Sequence, residues 1–381
     1  MTALLAILFG VFLAYANGAN DNFKGVATLF GSGTTDYRRA LAWGTASTFL
    51  GSFVALILAQ GLLATFSGRG LVPDDVVAMK SFAVAVLLAS ALTVMLATKF
   101  GFPISTTHSL TGALVGAGWL ASSSGVNFEK LGSSFLVPLI VCPVAAIAFA
   151  AIVYPIFSMV RAKLGVQRET CVCIGTEVVA TLPKGTAPHE ALAVYQSQLA
   201  AQAIPTVSVG TEATCQDRYS GTLLGVNARA ALDFVHFLSA GMVSFARGLN
   251  DTPKIAALLL VGGTFSPTFT IISVAVAMAA GGLLNARRVA ETMSHRVTTM
   301  NAGQGFTANL VTSCIVVFAS RLGLPVSTTH VSCGALFGIG AVTRQAHWKI
   351  IGSILIAWVT TLPVAAILGA VLFEVLKGVL T

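Results

Sequence analysis

Long apolar runs dominate this chain and are set apart by short polar connections. They fall at about 3–30, 41–64, 81–99, 103–120 and 133–160, then at 230–261, 269–284, 302–320, 325–342 and 350–376. A helix needs roughly 20 apolar residues to cross the hydrocarbon core of a bilayer. The pattern therefore predicts an all-α polytopic membrane protein with about ten spans. The first and sixth runs exceed one crossing and carry a polar stretch near the middle, which predicts discontinuous helices. The fourth and ninth begin at Pro103 and Pro325 after very short connections, so each fits either a full span or a re-entrant turn. One polar segment, 161–222, interrupts the series. It contains Pro183, Pro188 and Pro205, and an apolar–polar stretch at 189–203 that reads as one amphipathic helix. A tolerated insertion is a simpler reading of this loop than a regulatory or docking element.

The runs occur in two matching sets. Asn20-Asp21-x-x-Lys24 returns as Asn250-Asp251-x-x-Lys254, an offset of 230, and Pro103-Ile-Ser-Thr-Thr-His108 returns as Pro325-Val-Ser-Thr-Thr-His330, an offset of 222. Two motifs in the same order at nearly the same offset divide the chain into a first membrane repeat (1–160), the polar loop (161–222) and a second repeat (223–381). Five crossings per half is an odd number, so the second half inserts upside down relative to the first. That is an inverted-topology repeat, an architecture of many secondary transporters.

Composition and charge narrow the class. The 381 residues are 55% hydrophobic and only 9% charged, with a mean hydropathy of +0.85. Soluble domains carry about 25% charged residues, so a soluble enzyme, a nucleic-acid binder and a disordered protein are excluded as whole-chain readings. The net charge of +8 does not gather in basic runs with interleaved aromatics, which argues against a nucleic-acid partner. Placing the N-terminus outside puts 14 of the 22 Lys and Arg residues on the cytoplasmic side. Five then lie outside, and Lys24, Arg247 and Lys254 lie within the membrane. This positive-inside bias predicts a multi-pass protein of the cell membrane, embedded in lipid, with both termini outside and the central loop cytoplasmic. The first run lacks a basic leader and a cleavage site and reads as a span rather than a cleaved signal. Cys171 and Cys173 read as unpaired thiols in a reducing cytosol.

The polar motifs carry the chemistry. The stretch from Ala16 to Lys24 disfavours continuous helix and exposes backbone and side-chain oxygens, and the stretch from Arg247 to Lys254 adds Pro253, which lacks a backbone donor. A carboxylate at the bilayer centre costs about 2.5–3.5 kcal/mol on insertion scales, so Asp21 and Asp251 imply compensation. Oxygen-rich backbone beside a carboxylate is hard-cation chemistry, suited to Na⁺ or to a proton on the aspartate. The plainer alternative is that each Asn-Asp caps a half-helix and pairs with Lys24 or Lys254. Pro-x-Ser-Thr-Thr-His reads as a helix start, and a helix N-terminus with free N–H groups is a prepared anion site. One hydroxyl per motif is explained by capping, whereas three in a row supply donors for a tetrahedral oxyanion. His108 and His330 read as structural residues, and Gln304 and Asn309 as helix-pairing polar groups. Cations placed between the anion and the two aspartates convert repulsion into attraction, which is the thermodynamic content of symport.

The stretches GANDNFKGVATLFGSGT, FPISTTHSLTGALVGAG, GLNDTPKIAALLL and LPVSTTHVSCGALFGIG resemble the duplicated signature of the inorganic phosphate transporter (PiT) family, across both membrane halves. The resemblance implies import of inorganic phosphate by cation symport with alternating access, no catalytic residues and no cofactor. It implies Na⁺ as coupling ion, with H⁺ coupling, metal–phosphate or sulfate as alternatives within the family, and commonly a homodimer. Ser105, Thr106, Thr107, Ser327, Thr328, Thr329 and Asn22 are then the phosphate residues. Asn20, Asp21, Asn250 and Asp251 are the cation residues, with Na⁺ at Asp21 and Asp251. Two departures stand out: Phe23-Lys24 replaces the commoner Ala-Asn, and span two holds Thr45, Ser47 and Thr48 where animal members carry a glutamate. Outside this class, a passive anion channel would use the same helix ends without paired carboxylates. No phosphate-binding G-x-x-x-x-G-K-[ST] loop and no nucleophile–base pair can be read.

Overall fold

The computed structural model describes residues 2–122, 125–167, 169–177, 205–211, 219–261 and 265–380. The chain forms two compact units, Met1–Pro155 together with His236–Thr381, and Ile156–Val235. Both membrane halves thus belong to a single unit.

That unit is helical, and its elements follow the apolar runs closely. The first half contains α1 (Thr2–Asp21), α2 (Ala27–Gly31), α3 (Tyr37–Leu58), α4 (Gln60–Phe66), α5 (Asp74–Ala78), α6 (Lys80–Phe100), α7 (Thr106–Ala121), α8 (Phe128–Leu131) and α9 (Val137–Lys163). The second contains α10 (Ala228–Val261), α11 (Pro267–Asn285), α12 (Arg287–Glu291), α13 (Ala302–Arg321), α14 (Thr328–Thr343) and α15 (Trp348–Leu380). Helix starts carry the expected caps. Asp36 accepts the Arg39 N–H at 2.9 Å, and Asn301 and Gln304 form a reciprocal capping box. Gly101 ends α6 at φ 74°, a left-handed turn that any Cβ would strain.

Among the described residues, seven helices are long and apolar enough to cross a membrane. The remaining three predicted runs are helical but differ in kind. Helices α7 and α14 have 16 residues each, about 24 Å at 1.5 Å per residue, short of a roughly 30 Å hydrocarbon core. Helix α10 has 34 residues and is long enough, but it carries Arg229, Asp233, Arg247, Asp251 and Lys254.

The expected helix breaks are realised unequally. The first run breaks at residues 22–26, one step after the Asn20-Asp21 pair, and resumes as the single turn of α2. The sixth run does not break: α10 continues through Gly248 and Pro253. Proline removes one helical N–H, yet a helix packed on every side tolerates the loss when neighbouring groups satisfy its polar atoms.

Packing repeats at the sequence offset. A Cβ on Gly18 would lie 1.9 Å from Met278 O, and one on Gly281 1.9 Å from Tyr15 O, so α1 and α11 touch backbone to backbone. The equivalent positions 230 residues apart do the same: Gly248 meets Thr48 O at 2.1 Å and Gly51 meets Phe245 O at 2.0 Å, joining α10 to α3. Gly112 and Gly116 of α7 abut Leu362 and Ala366 of α15, while Gly334 and Gly338 of α14 abut Pro143 and Ile147 of α9. Small residues at four-residue spacing permit this closeness in lipid, where no hydrophobic force drives helices together. Each of these crossings pairs one half of the chain with the other.

The second unit contains a three-stranded antiparallel sheet that the sequence reading did not anticipate. Its order is β2 (Pro205–Thr211), β1 (Thr170–Glu177), β3 (Tyr219–Asn227). Alternating β-branched residues in β1 and β2 favour strand. Cys173 is disulfide-bonded and Cys171 is a free, buried thiol, which corrects the expectation of unpaired thiols at both. The amphipathic stretch expected at 189–203 lies outside the described residues.

Candidate functional site

The polar residues singled out by the repeats converge in the interior of the helical unit. The last turn of α1 supplies Asn17, Asn20 and Asp21, and the break beyond it supplies Asn22 and Lys24. The middle of α10 supplies Arg247, Asn250, Asp251 and Lys254. All of these side chains are buried. The N-termini of α7 and α14 meet them. Ser105 and Ser327 each cap their helix, accepting the N–H of His108 at 3.1 Å and of His330 at 3.2 Å.

The two N-terminal motifs are bonded across to each other. Thr107 Oγ1 donates to Val326 O at 3.3 Å, and Thr329 Oγ1 donates to Ile104 O at 2.8 Å. Lysines from the other motif pair tie in crosswise: Lys24 Nζ donates to Thr329 Oγ1 at 2.6 Å and Lys254 Nζ to Thr107 Oγ1 at 2.8 Å. Lys24 also donates to Asp21 Oδ1, to Asn20 Oδ1 at 2.8 Å and to Ile104 O at 2.9 Å. Lys254 also donates to Val326 O at 2.6 Å and approaches Asp251 Oδ1 at 3.5 Å.

The aspartates are further embraced by neutral and cationic donors. Asn17 Nδ2 lies 3.1 Å from Asp21 Oδ2 and 3.3 Å from Asp251 Oδ2, so one amide spans both carboxylates. Thr106 Oγ1 donates to Asp21 Oδ2 at 3.3 Å. Arg247 Nε lies 3.6 Å from Asp251 Oδ2, and its Nη atoms donate to Asn17 Oδ1 at 2.5 Å and Asn22 Oδ1 at 3.0 Å. Opposite charges about 4 Å apart attract by roughly 4 kcal/mol at an effective dielectric of 20. This offsets part of the desolvation penalty, which for buried ions is several kcal/mol each.

Asn20 and Asn250 act mainly as braces. Asn20 Nδ2 donates to Thr98 Oγ1 at 2.8 Å and Phe102 O at 3.0 Å, holding the segment that leads into α7. Asn250 Nδ2 donates to Asp251 Oδ1 at 3.0 Å and Val326 O at 3.2 Å, holding the segment that leads into α14. Asn22 Nδ2 donates to Thr45 Oγ1 at 2.7 Å. Thr328 is buried at the start of α14. Behind the hydroxyls, the His108 and His330 rings lie 4.4 Å apart, and His330 stacks on Trp358 at 3.8 Å. Gln304 closes its own capping box, and Asn309 bonds Thr28 and Ser239. Among the described residues no group of three or more His, Cys, Asp or Glu side chains is placed to hold a metal ion; the site's side chains offer amide, hydroxyl and carboxylate oxygens beside lysine and arginine donors.

Sequence reasoning missed Asn17 and Arg247 and gave the lysines only a pairing role. The signal was present. Asn17 precedes Asp21 by four residues and Arg247 precedes Asp251 by four, which places each over its aspartate on one helix face.

The profile of the phosphate transporter family matches residues 17–369. The chain belongs to the phosphate transporter family. It is accordingly a transporter and not an enzyme. It is 28% identical over 406 residues to a Thermococcus kodakarensis protein named "Putative phosphate permease", covering 98% of this chain and 97% of that one. A Haemophilus influenzae protein of the same name is 27% identical over 412 residues, covering 98% and 96%. Among solved structures, one described as "The sodium-dependent phosphate transporter" superposes with a TM-score of 0.74 at 21% identity over the whole of both chains. At that identity the likeness concerns the fold, a helical transporter fold. Membership places this phosphate transporter in a membrane, in agreement with its seven apolar helices.

Proposed function

We propose that this chain, built from two inverted-topology halves, imports inorganic phosphate by cation symport with alternating access. The observation that carries the reading is the pair of helix N-termini, α7 and α14, whose hydroxyls interlock across a buried centre of fixed charge. The free N–H groups of the two first turns, with Thr328 and with the hydroxyls of Thr106, Thr107 and Thr329 once these turn from Asp21, Val326 O and Ile104 O, would offer donors to a tetrahedral oxyanion from both helix starts. Ser105 and Ser327 shape those turns as caps, and Asn22 orients Arg247 toward the centre. Recurrence of the same contacts at offsets of 230 and 222 supports the inverted repeat. Lysine and arginine distribution supports a cell-membrane protein with outward termini, and the homodimer remains what the family resemblance implies.

Two coupling ions have support. Na⁺ at Asp21 and Asp251 is favoured by the Asn-Asp oxygens and by the description of the structural neighbour as sodium-dependent. A proton, carried into the cell on the phosphate as H₂PO₄⁻, is favoured by Lys24 and Lys254 already lying against those aspartates. Purified protein in liposomes, given ³²P-phosphate under an inward Na⁺ gradient, an inward proton gradient or neither, separates these, with sulfate as competitor. Uphill accumulation under either gradient supports symport. Phosphate that only equilibrates under every gradient refutes it and leaves a passive channel, and stronger transport of sulfate replaces the substrate.

A further inference from the structure

Each Asn-Asp motif carries a lysine three residues beyond its aspartate, and both ammonium groups lie against the aspartates proposed above for Na⁺. Lys24 Nζ is surrounded by four kinds of oxygen: Asn20 Oδ1 at 2.8 Å, Ile104 O at 2.9 Å, Thr329 Oγ1 at 2.6 Å, and the Asp21 carboxylate. Amide, carbonyl, hydroxyl and carboxylate oxygens together form the donor set of a hard cation. Lys254 Nζ repeats the arrangement with Val326 O at 2.6 Å, Thr107 Oγ1 at 2.8 Å and Asp251 Oδ1 at 3.5 Å. Ile104 and Val326 are equivalent across the repeat, and so are Thr107 and Thr329. A duplicated cage filled twice by the same type of group is not a chance lysine.

The fixed charges point the same way. By formal charge, Lys24, Lys254 and Arg247 against Asp21 and Asp251 leave one positive charge in excess in a buried site. One H₂PO₄⁻ neutralises that charge with no further cation. A Na⁺ in either cage would compete with a covalently attached ammonium for the same carboxylate and the same hydroxyl.

The geometry points to Lys24 and Lys254 as tethered cations: their ammonium groups fill two oxygen cages otherwise suited to a coupling Na⁺, so this carrier binds phosphate without Na⁺ at Asp21 or Asp251. This rests on the phosphate reading above and selects between its two coupling ions.

The test has two readouts. The first is independent of phosphate: the melting temperature of the purified protein, with Na⁺ exchanged for N-methylglucamine at constant ionic strength. Wild type is expected to shift by less than about 1 °C, whereas Lys24→Ala and Lys254→Ala gain several degrees of Na⁺-dependent stabilisation because their cages are open to the ion. The second is ³²P-phosphate uptake into liposomes. Wild-type uptake is expected to change less than twofold when Na⁺ is removed. Lys24→Ala is expected to fall at least tenfold in N-methylglucamine and to recover, saturably, with added Na⁺ or ammonium. Saturable Na⁺ stabilisation of the wild type, or wild-type uptake that requires Na⁺, overturns the inference even if neither variant folds. Folded variants that no cation stabilises or rescues overturn it as well. Failure of every protein to take up phosphate, with the melting pattern as expected, overturns the phosphate reading and leaves the tethered cations standing.

Discussion

Replacing Thr329 by valine deletes one hydroxyl at the Lys24 ammonium and keeps a β-branched side chain of the same shape. Replacing Thr107 by valine does the same at Lys254, but the two ammonium groups are not equally provided for. Without Thr329 Oγ1, Lys24 retains Asn20 Oδ1 at 2.8 Å, Ile104 O at 2.9 Å and the Asp21 carboxylate, enough for all three of its N–H donors. Without Thr107 Oγ1, Lys254 retains one short bond, to Val326 O at 2.6 Å, with Asp251 Oδ1 at 3.5 Å. A hydrogen bond to a charged group contributes about 1.5–3 kcal/mol, and leaving a buried charged donor without a partner costs more. Thr329→Val is therefore expected near the bottom of that range and Thr107→Val at or above its top. In uptake terms that is a loss of roughly tenfold for the first and 100-fold or more for the second. The serine variants restore the oxygen and are expected within about threefold of wild type. The assay is ³²P-phosphate uptake in liposomes alongside thermal denaturation in detergent, both ranked across the four variants. Equal effects, a reversed order or serine variants as damaged as the valines would refute the reasoning, because each would mean that the ammonium–hydroxyl contacts do not set the energetics of the site.

Three further outcomes follow from other parts of the structure. Gly116→Val puts a Cβ 1.8 Å from Ala366 O, which forces α7 and α15 apart at a cost of about 1–3 kcal/mol or more; a monodisperse size-exclusion peak at wild-type yield would contradict it. Arg247→Gln removes the guanidinium that joins Asp251, Asn17 and Asn22, at a cost of about 3–5 kcal/mol for breaking a buried pair. Arg247→Lys is expected to fail nearly as badly, since one ammonium nitrogen cannot span the positions that the separate Nε and Nη atoms reach at Asp251, Asn17 and Asn22, and phosphate binding to the purified variants checks both. Asp36 lies outside the spans, and the backbone N–H of Arg39 holds its carboxyl below the usual carboxylate range. A depressed folded pKa means its contribution is present above the unfolded value and lost as pH falls through the folded one. Asp36→Ala is thus expected to lower the melting temperature slightly at pH 7 and by progressively less as pH falls below the ordinary carboxylate range, which melts across a pH series would check.

How far the site was legible depended on what kind of signal each residue leaves. The ten apolar runs locate every long helix because lipid demands apolar length, a constraint written directly in composition. The repeated motifs locate the meeting of α7, α14, α1 and α10 because two motifs duplicated in the same order, at offsets of 230 and 222, occupy equivalent places. What remained hidden was which polar atom bonds which. The Ser-Thr-Thr triplet does not reveal which hydroxyl caps the helix, that Thr106 meets Asp21, or that the second threonine of each copy bonds the opposite lysine. Pro253 reads as a break, yet α10 is continuous there because its polar groups find partners on α1 and beside Val326. The sheet in the second unit was missed because short alternating stretches in a polar loop are weak signals beside the proline-rich segment that separates them.

The glycine crossings bear on what can move. Alternating access is usually pictured as one repeat rocking against the other, but here backbone touches backbone between the halves at Gly18 with Met278 and again at Gly248 with Thr48. No layer of side chains lies at those points to slide or rotate. Helices α1 and α11 must therefore travel together, as must α10 and α3, and a rocking body made only of residues 1–160 would have to tear both crossings. Gly25, just beyond α1, also lies closely against the Ser244 backbone of α10, so backbone contact also ties the first pair of helices to the second. The crosswise bonds of Lys24 with Thr329 and Lys254 with Thr107 each join a flexible side chain to a hydroxyl and can break with less disturbance than those backbone contacts. Phosphate binding at Thr107 and Thr329, as proposed above, would have to displace those same lysine contacts, so occupancy would act on the bonds that join the α7 and α14 starts to α10 and to the segment beyond α1.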